Sequence, residues 1–325
     1  MSAFDLPWLV ADIGGTNARF GLVTSLEARP TNVAVLAGAD YGTLPEAVAA
    51  YLAEHAGGVR PGAACLALAG PIDGDHYRLT NSHWAGSVRD LGIPYVRLLN
   101  DFEALAVSLP HLDGDELVSL GGPAPHHGVK AVLGPGTGLG VGGLVPVEHG
   151  WAPIPGEGGH ATVPVLEPRE LEIVRALQAQ GLPHVVAEHL LSGPGLVRLH
   201  RALALVNGVT APELTASDIV ARVDDSLCAE TVEVFCAMLG TFSGNVALTL
   251  GARGGVYLAG GVLPRIVERV RASGFRARFE DNPDMAAYLA EIGTVLIVAA
   301  QPGMTGAAAW LRQRARTELV GPAAL

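Results

Sequence analysis

Short apolar runs punctuated by glycine and proline dominate the first third of the chain. Residues 8–13 and 18–23 are two such runs around Gly14-Gly15, a pattern that predicts two strands turning back on each other. Residues 33–37 predict a third strand. Residues 44–53, with Pro45 at the start and helical spacing behind it, predict an amphipathic helix. Residues 63–69 form an unbroken apolar run closed by Gly70-Pro71, which fits a buried strand. Another strand at 95–99 leads through Asn100-Asp101 into a short helix at 102–109, stopped by Pro110. Residues 110–128 are rich in loop formers and mark a boundary.

Beyond it, apolar runs at 129–133 and 139–145 flank a second glycine loop. From 167 to about 251 the spacing is helical, with helices at 167–180, 194–206 and 229–250. A strand at 256–259 is broken by Gly260-Gly261, a helix at 264–272 carries Pro264 in first position, and a strand at 294–299 precedes a last helix at 304–316. The alternation makes this an α/β chain. The strand–glycine turn–strand unit occurs once in each half.

Composition narrows the functional classes. Of 325 residues, 49% are hydrophobic and 16% charged, enough for a substantial core. With 21 basic and 32 acidic residues the net charge is −11, and no basic run occurs, so nucleic acid and anionic membranes are poor partners. Lys130 is the only lysine, and Ala131 after it rules out a Walker A loop. Three cysteines without close pairing point to a reducing cytoplasm, and no secretory leader is expected near Asp5 and Pro7. The uncharged stretch 131–147 is interrupted by Pro135, Pro146 and repeated glycines, unlike a membrane helix.

Three glycine sites carry candidate chemistry: Asp12-Ile13-Gly14-Gly15-Thr16-Asn17, Gly134-Pro135-Gly136-Thr137-Gly138-Leu139-Gly140 and Ala259-Gly260-Gly261. Each could be only a tight turn. Together, in a chain with one lysine, they suggest polyphosphate held by peptide N–H groups, threonine hydroxyls and a divalent metal. Gly138 to Gly143 matches G-x-G-x-x-G, but residues 139–145 continue as β-prone sequence where a dinucleotide site needs a helix. Neither H-R-D nor D-F-G occurs, which excludes a protein kinase. A carboxylate beside a phosphate loop needs a cation between them, so Asp12 is either a water-mediated Mg²⁺ ligand or a turn former.

Asp101 could be an ordinary helix N-cap, bonded by the N–H of Glu103 or Ala104. It also stands at the C-terminal end of a strand, where α/β proteins place ligands, and could accept a proton from a substrate hydroxyl. Glu157 and His160 are three apart, but Pro155-Gly156 and Gly158-Gly159 exclude a helical metal pair; a glycine-hinged loop of this kind suits a polyol. Glu188, ahead of His189 and Leu190-Leu191-Ser192-Gly193-Pro194-Gly195, is on spacing alone as readily a solvated helical glutamate as a functional one.

The segments DIGGTNAR (from Asp12), LALAGP (from Leu66), LTNSHW (from Leu79), LNDFEA (from Leu99), GPGTGLGV (from Gly134), PGEGGH (from Pro155), LSGPGL (from Leu191) and AGG (from Ala259) resemble, in this order, the bacterial ATP-dependent glucokinase family. The resemblance spans nearly the whole chain. It implies a two-lobed actin-like ATPase (ribonuclease H-like) sugar kinase fold with a central cleft. Residues 1–110 with 302–325 would form a small lobe, onto which the last helix packs back, and 111–301 a large one with helical insertions. The cysteine-rich zinc motif and N-terminal DNA-binding extension of the related repressor/kinase group are absent.

Carried over position by position, the resemblance makes Asp101 the catalytic base and Asn100 its sugar-binding neighbour. Glu157, His160 and Glu188 would hold sugar hydroxyls. Ala11, Asp12, Ile13, Gly14, Gly15 and Thr16 would surround ATP phosphate, Thr137 and Gly138 would face phosphate, and Gly260 and Gly261 would lie near adenosine; no short motif fixes the adenine contacts. The implied reaction moves the γ-phosphoryl group of MgATP to the 6-hydroxyl of glucose, in a cytoplasmic homodimer. Another hexose, another phosphate donor, or a catalytically silent sugar sensor of the same fold stay open at this point.

Overall fold

The computed structural model describes residues 4–27, 29–222 and 224–320. Residues 1–3 and 321–325, expected in the small lobe, lie outside the described residues. The strands are β1 (Trp8–Ile13), β2 (Asn17–Val23), β3 (Thr31–Ala37), β4 (Ala63–Leu68), β5 (Ile72–Asp73), β6 (His76–Arg78), β7 (Ala85–Ser87), β8 (Tyr95–Asn100), β9 (Leu117–Gly121), β10 (Lys130–Pro135), β11 (Leu139–Val147), β12 (Gly150–Ile154), β13 (Val256–Leu258) and β14 (Thr294–Ile297). The helices are α1 (Leu44–Glu54), α2 (Asp101–Ser108), α3 (Pro168–Ala179), α4 (Gly193–Val206), α5 (Ala216–Ala221), α6 (Ser226–Leu250), α7 (Val267–Ala272), α8 (Phe275–Glu280), α9 (Ala286–Ala290) and α10 (Pro302–Val320).

Two compact units result. Unit 1 holds the residues up to Asp113, Val147–Pro153 and the stretch from Ala299; unit 2 holds Gly114–Pro146 and Ile154–Val298. The membership of 147–153 has no signal in the sequence. It follows from Trp151, whose N–H donates to Gln313 Oε1 and whose carbonyl accepts from Gln313 Nε2, both at 2.9 Å.

Unit 1 is built on a sheet of order β3-β2-β1-β4-β8, with β1, β2 and β3 antiparallel and β1, β4 and β8 parallel. Every residue of β4 is buried, because both faces of the sheet are covered. On one face Leu9, Ile13, Phe20 and Leu66 pack with Leu44, Val48 and Tyr51 of α1. On the other, Val10, Cys65, Ala67 and Leu99 pack with Ala104 of α2 and with Met304, Ala307, Ala308 and Leu311 of α10. A small sheet, β5-β6-β7, follows Gly70-Pro71 and was not expected; its strands are two or three residues long, too short for a hydrophobic period.

Helices α2 and α10 touch through Gly306. A Cβ there would lie 1.8 Å from the Ala104 carbonyl oxygen, so only glycine allows this approach.

Unit 2 carries the strand order β11-β10-β13-β14-β9. Its first four strands repeat the order β2-β1-β4-β8 of unit 1: β10 is antiparallel to β11 and parallel to β13, which is parallel to β14. Strand β9, antiparallel to β14 at the edge, corrects the expectation of loop throughout 110–128. Its sequence, LVSLG, has three apolar residues, but the run is short and set among Gly114, Gly121, Gly122 and Pro123, so the turn formers around it dominate the reading.

Helix α6 starts at Ser226, earlier than the expected 229, because Asp225 Oδ1 caps it by accepting the Cys228 N–H at 2.9 Å. By length and composition α6 could cross a membrane, yet 72% of its most apolar window is buried, as in a core helix. The expected helix 264–272 is two pieces. A 3-10 turn, Leu263–Arg265, precedes α7, since Ile266 leaves the helical region (φ −131°, ψ 25°) and buries its side chain. Helices α8 and α9 were not anticipated; at six and five residues they are too short for a clear helical period.

The single lysine proves structural. Lys130 is 4% exposed, and its Nζ donates to the carbonyls of His126 (2.7 Å) and Gly254 (3.0 Å) and to the Tyr257 hydroxyl (3.2 Å). Burial pushes its pKa down to about 8.

Two outcomes are expected. Gly306→Ala forces α2 and α10 apart and lowers the unfolding free energy by about 2 kcal/mol, read by urea denaturation. For Lys130 the folded pKa lies below the unfolded one, so the unfolded chain holds the proton more tightly and stability rises with pH between about 8 and the unfolded value. Measured against Lys130→Met, in which the other titrating groups cancel, the natural protein gains about 2 kcal/mol between pH 7 and 9.5. A difference that stays flat with pH contradicts the buried ammonium.

Candidate active site

In unit 1 the expected residues gather at the carboxyl ends of three parallel strands. Ile13 at the end of β1 pairs with Leu68 of β4, and Leu68 pairs with Asn100 of β8. Ile13 and Asn100 are therefore two strand spacings apart, about 10 Å. Ala11 and Ile13 are themselves buried in the sheet, so the groups available to a ligand here are Asp12 and the turn Gly14-Gly15-Thr16. That turn is closed by the Gly14 N–H bonding the Asn17 carbonyl, and the Thr16 carbonyl accepts the Gly38 N–H.

Asp12 is half-buried opposite Arg19 of β2, beside the first turn of α10, where a Cβ on Gly303 would lie 3.1 Å from Asp12 Cγ. Burial raises its pKa, and Arg19 opposes the shift only in part. No cluster of three or more His, Cys, Asp or Glu able to hold a metal occurs among the described residues. A lone desolvated carboxylate cannot cage an ion. It does fit Mg²⁺ that keeps its waters and draws its other oxygens from phosphate.

At the start of α2 the cap is Asn100, not Asp101. Asn100 Oδ1 accepts the Phe102 N–H and Glu103 Oε2 accepts the Asn100 N–H, both at 2.9 Å, a reciprocal capping box. Asp101 is the first helical residue, and its Oδ1 also accepts the Phe102 N–H at 2.9 Å. The N-cap position that sequence allowed for Asp101 falls to Asn100.

In unit 2 three segments meet at the Leu139 peptide. Glu188 Oε2 accepts the Leu139 N–H at 2.8 Å. Gly159 lies so close on the other side that a Cβ would come 2.0 Å from the Leu139 carbonyl oxygen. Glu157 forms a bridge with Val141, and Gly158–His160 is a single 3-10 turn carrying an exposed His160. The Ala187 N–H bonds the Ala161 carbonyl, joining the Glu157 segment to the Glu188 segment. Glu188 is thus neither solvated nor in an α-helix; it sits half-buried in the 3-10 turn Ala187–His189. His189 Nδ1 accepts the Val186 N–H at 3.3 Å, and burial, then Arg198, lowers its pKa, so the ring is a neutral structural element.

Beside Leu139, Thr137 is exposed at the tip of the second glycine loop, and the Gly193 N–H at the start of α4 bonds the Gly136 carbonyl at 2.8 Å. Gly260 (φ +94°) lets β13 turn away with its Cα against the Pro135 carbonyl, where a Cβ would come within 2.1 Å. Between these pieces opens a cavity of about 570 Å³, lined by Gly136, Thr137, Pro194, Val197, Ala216 and Val262 among others. Sequence reasoning missed Pro194, Val197, Ala216 and Val262. The capping box of Thr215 with Asp218 could have located α5, but nothing in it signals a ligand.

These features match known proteins. A family model described as Glucokinase matches residues 9–314. A glucokinase of Saccharophagus degradans is 46% identical over 321 residues, 95% of this chain and 99% of the relative. The crystal structure of a glucokinase from an Antarctic psychrotroph superposes with a TM-score of 0.87 at 36% identity, covering 94% of this chain and 98% of that one. A ROK family glucokinase from Streptomyces griseus, solved in complex with glucose and AMPPNP, shares the fold at a TM-score of 0.62 and 20% identity, covering 95% of this chain and 100% of that one. With the family model spanning nearly the whole sequence and the strand order recurring in both units, the chain belongs to the glucokinase family of actin-like sugar kinases.

Proposed function

We propose that the protein transfers the γ-phosphoryl group of MgATP to the 6-hydroxyl of glucose, with Asp101 as general base. Family membership supports the reaction. The observation that supports the residue roles is the register Ile13–Leu68–Asn100, which brings a candidate phosphate turn and a candidate base to one sheet edge.

Asp101 accepts the proton of the attacking hydroxyl while Asn100 offers its amide Nδ2 to the sugar, its Oδ1 being occupied in capping. Phosphoryl transfer has a loose transition state, so alignment and neutralisation of the equatorial oxygens supply most of the rate. Gly15 and Thr16 contribute peptide N–H groups on unit 1, the Gly14 N–H being taken by the Asn17 carbonyl, and Asp12 would hold a hydrated Mg²⁺, which would neutralise phosphate charge. On unit 2, Thr137 and Gly138 face phosphate, and the N-terminus of α4 adds the positive end of its dipole. The 570 Å³ cavity is of a size for a nucleoside and is bordered by Gly261, next to Gly260. Glu157, His160 and Glu188 bind sugar hydroxyls, and a site built from such groups rejects sugars that leave them unpaired. Family resemblance alone supports a homodimer and a cytoplasmic location.

Asp101→Asn is expected to lose at least about 100-fold in kcat while glucose still binds by calorimetry. Near-normal turnover would place the base elsewhere. A matched pair of variants separates the two ligands: Glu157→Gln raises the glucose KM roughly tenfold or more with little effect on the ATP KM, whereas Val197→Trp, which fills the cavity, does the reverse. Equal effects on both constants in either variant would contradict the assignment.

A further inference from the structure

Glu188 stands in a position that a sugar ligand alone does not require. Its Oε2 accepts the Leu139 N–H at 2.8 Å, so a charged acceptor holds the downstream end of the glycine loop. The loop is shaped around this carboxylate: a Cβ on Gly138 would lie 2.4 Å from Glu188 Oε2. The turn that carries Glu188 is fastened in return. Ser192 Oγ donates to the Glu188 carbonyl at 2.8 Å and accepts the Gly195 N–H at 3.0 Å, while the Gly193 N–H holds the Gly136 carbonyl at 2.8 Å. Residues 136–139 are closed by the bond from the Gly136 N–H to the Gly138 carbonyl (2.8 Å), and from outside they are gripped at one end by a backbone bond and at the other by one side chain. Glu188 Oε1 has no hydrogen-bond partner among the described residues.

We infer that Glu188 is a positioning residue that couples the two substrates: Oε2 orders the phosphate-facing loop while Oε1 receives a sugar hydroxyl. The inference rests on the proposed assignment of this loop to nucleotide and of Glu188 to sugar. A sugar hydroxyl on Oε1 stops rotation of the carboxylate and fixes the Leu139 bond. The nucleotide then meets a loop whose ordering cost has already been met, so glucose tightens nucleotide binding, and by linkage nucleotide tightens glucose binding by the same factor.

The test is calorimetric titration of MgAMPPNP with and without saturating glucose, and of glucose alone, on the natural protein, Glu188→Ala and Glu188→Gln. In the natural protein glucose is expected to lower the MgAMPPNP Kd about fivefold or more. Glu188→Ala weakens glucose, weakens MgAMPPNP severalfold even without sugar, and brings the coupling factor to one. Glu188→Gln keeps a carbonyl oxygen for the Leu139 N–H, so it weakens glucose yet leaves sugar-free MgAMPPNP affinity near natural, a split that loss of fold would not produce.

If Glu188→Ala weakens glucose alone and leaves both sugar-free nucleotide binding and coupling intact, the coupling role is overturned and the sugar assignment stands. If glucose affinity is unchanged in Glu188→Ala, the sugar assignment of Glu188 itself fails, and the coupling falls with it.

Discussion

A peptide N–H group acts on an anion only at contact distance, and that constraint organises the whole site. None of the three glycine loops carries a lysine or arginine, and the one lysine is committed to the carbonyls of His126 and Gly254. If the loops are to hold phosphate they must do it with backbone, and backbone reaches a bulky ligand only where side chains are missing. The same absence of side chains lets the loops pack on one another: Gly159 against the Leu139 carbonyl, Gly260 against the Pro135 carbonyl. Glycine thus serves two neighbours at these positions, and substitution harms packing before it harms binding.

The two units use one strand order to different ends. In each, the first antiparallel turn follows the strand that pairs parallel with the next crossover, at β1–β2 and at β10–β11. The first turn is closed by its own Gly14–Asn17 bond and stands beside Asp12. The second is closed by its own Gly136–Gly138 bond and is also held from outside by the Glu188 side chain and by Gly193. Backbone partners fasten the first turn, whereas one partner of the second is a carboxylate whose other oxygen can bind something else.

Much of the fold was legible because it rests on period and punctuation. The hairpin around Gly14-Gly15, the wholly apolar β4 and the proline-started α1 each carry their signal within a few residues. What sequence missed has non-local causes. Strand β9 exists because β14 offers it an edge, and residues 147–153 join unit 1 through Gln313, over 150 positions away. The family resemblance singled out Asn100, Asp101, Glu157, His160 and Glu188, and it could not say what each side chain bonds. The capping role sequence allowed for Asp101 belongs to Asn100, and the glutamate that looked solvated holds a loop. The apolar lining of the cavity was invisible, since Val197 and Val262 look like any other helix or loop valine.

The start of α2 shows how a helix can be capped by the residues on either side of its first one, Asp101. A helix must satisfy its first N–H groups, and an aspartate nearby is the usual means. Here Asn100 and Glu103 form the reciprocal cap one position on either side of the local Asp101–Phe102 contact. The helix start therefore stays defined when the charge on residue 101 changes. Its other end is held by the close approach of Ala104 to Gly306, and α10 in turn begins beside Asp12. One helix pair thus borders both candidate carboxylates, Asp101 on α2 and Asp12 beside the start of α10. The caps and the glycine contact hold the backbone of Asp101 in place, which is the mechanical requirement that the general-base role proposed for it would impose.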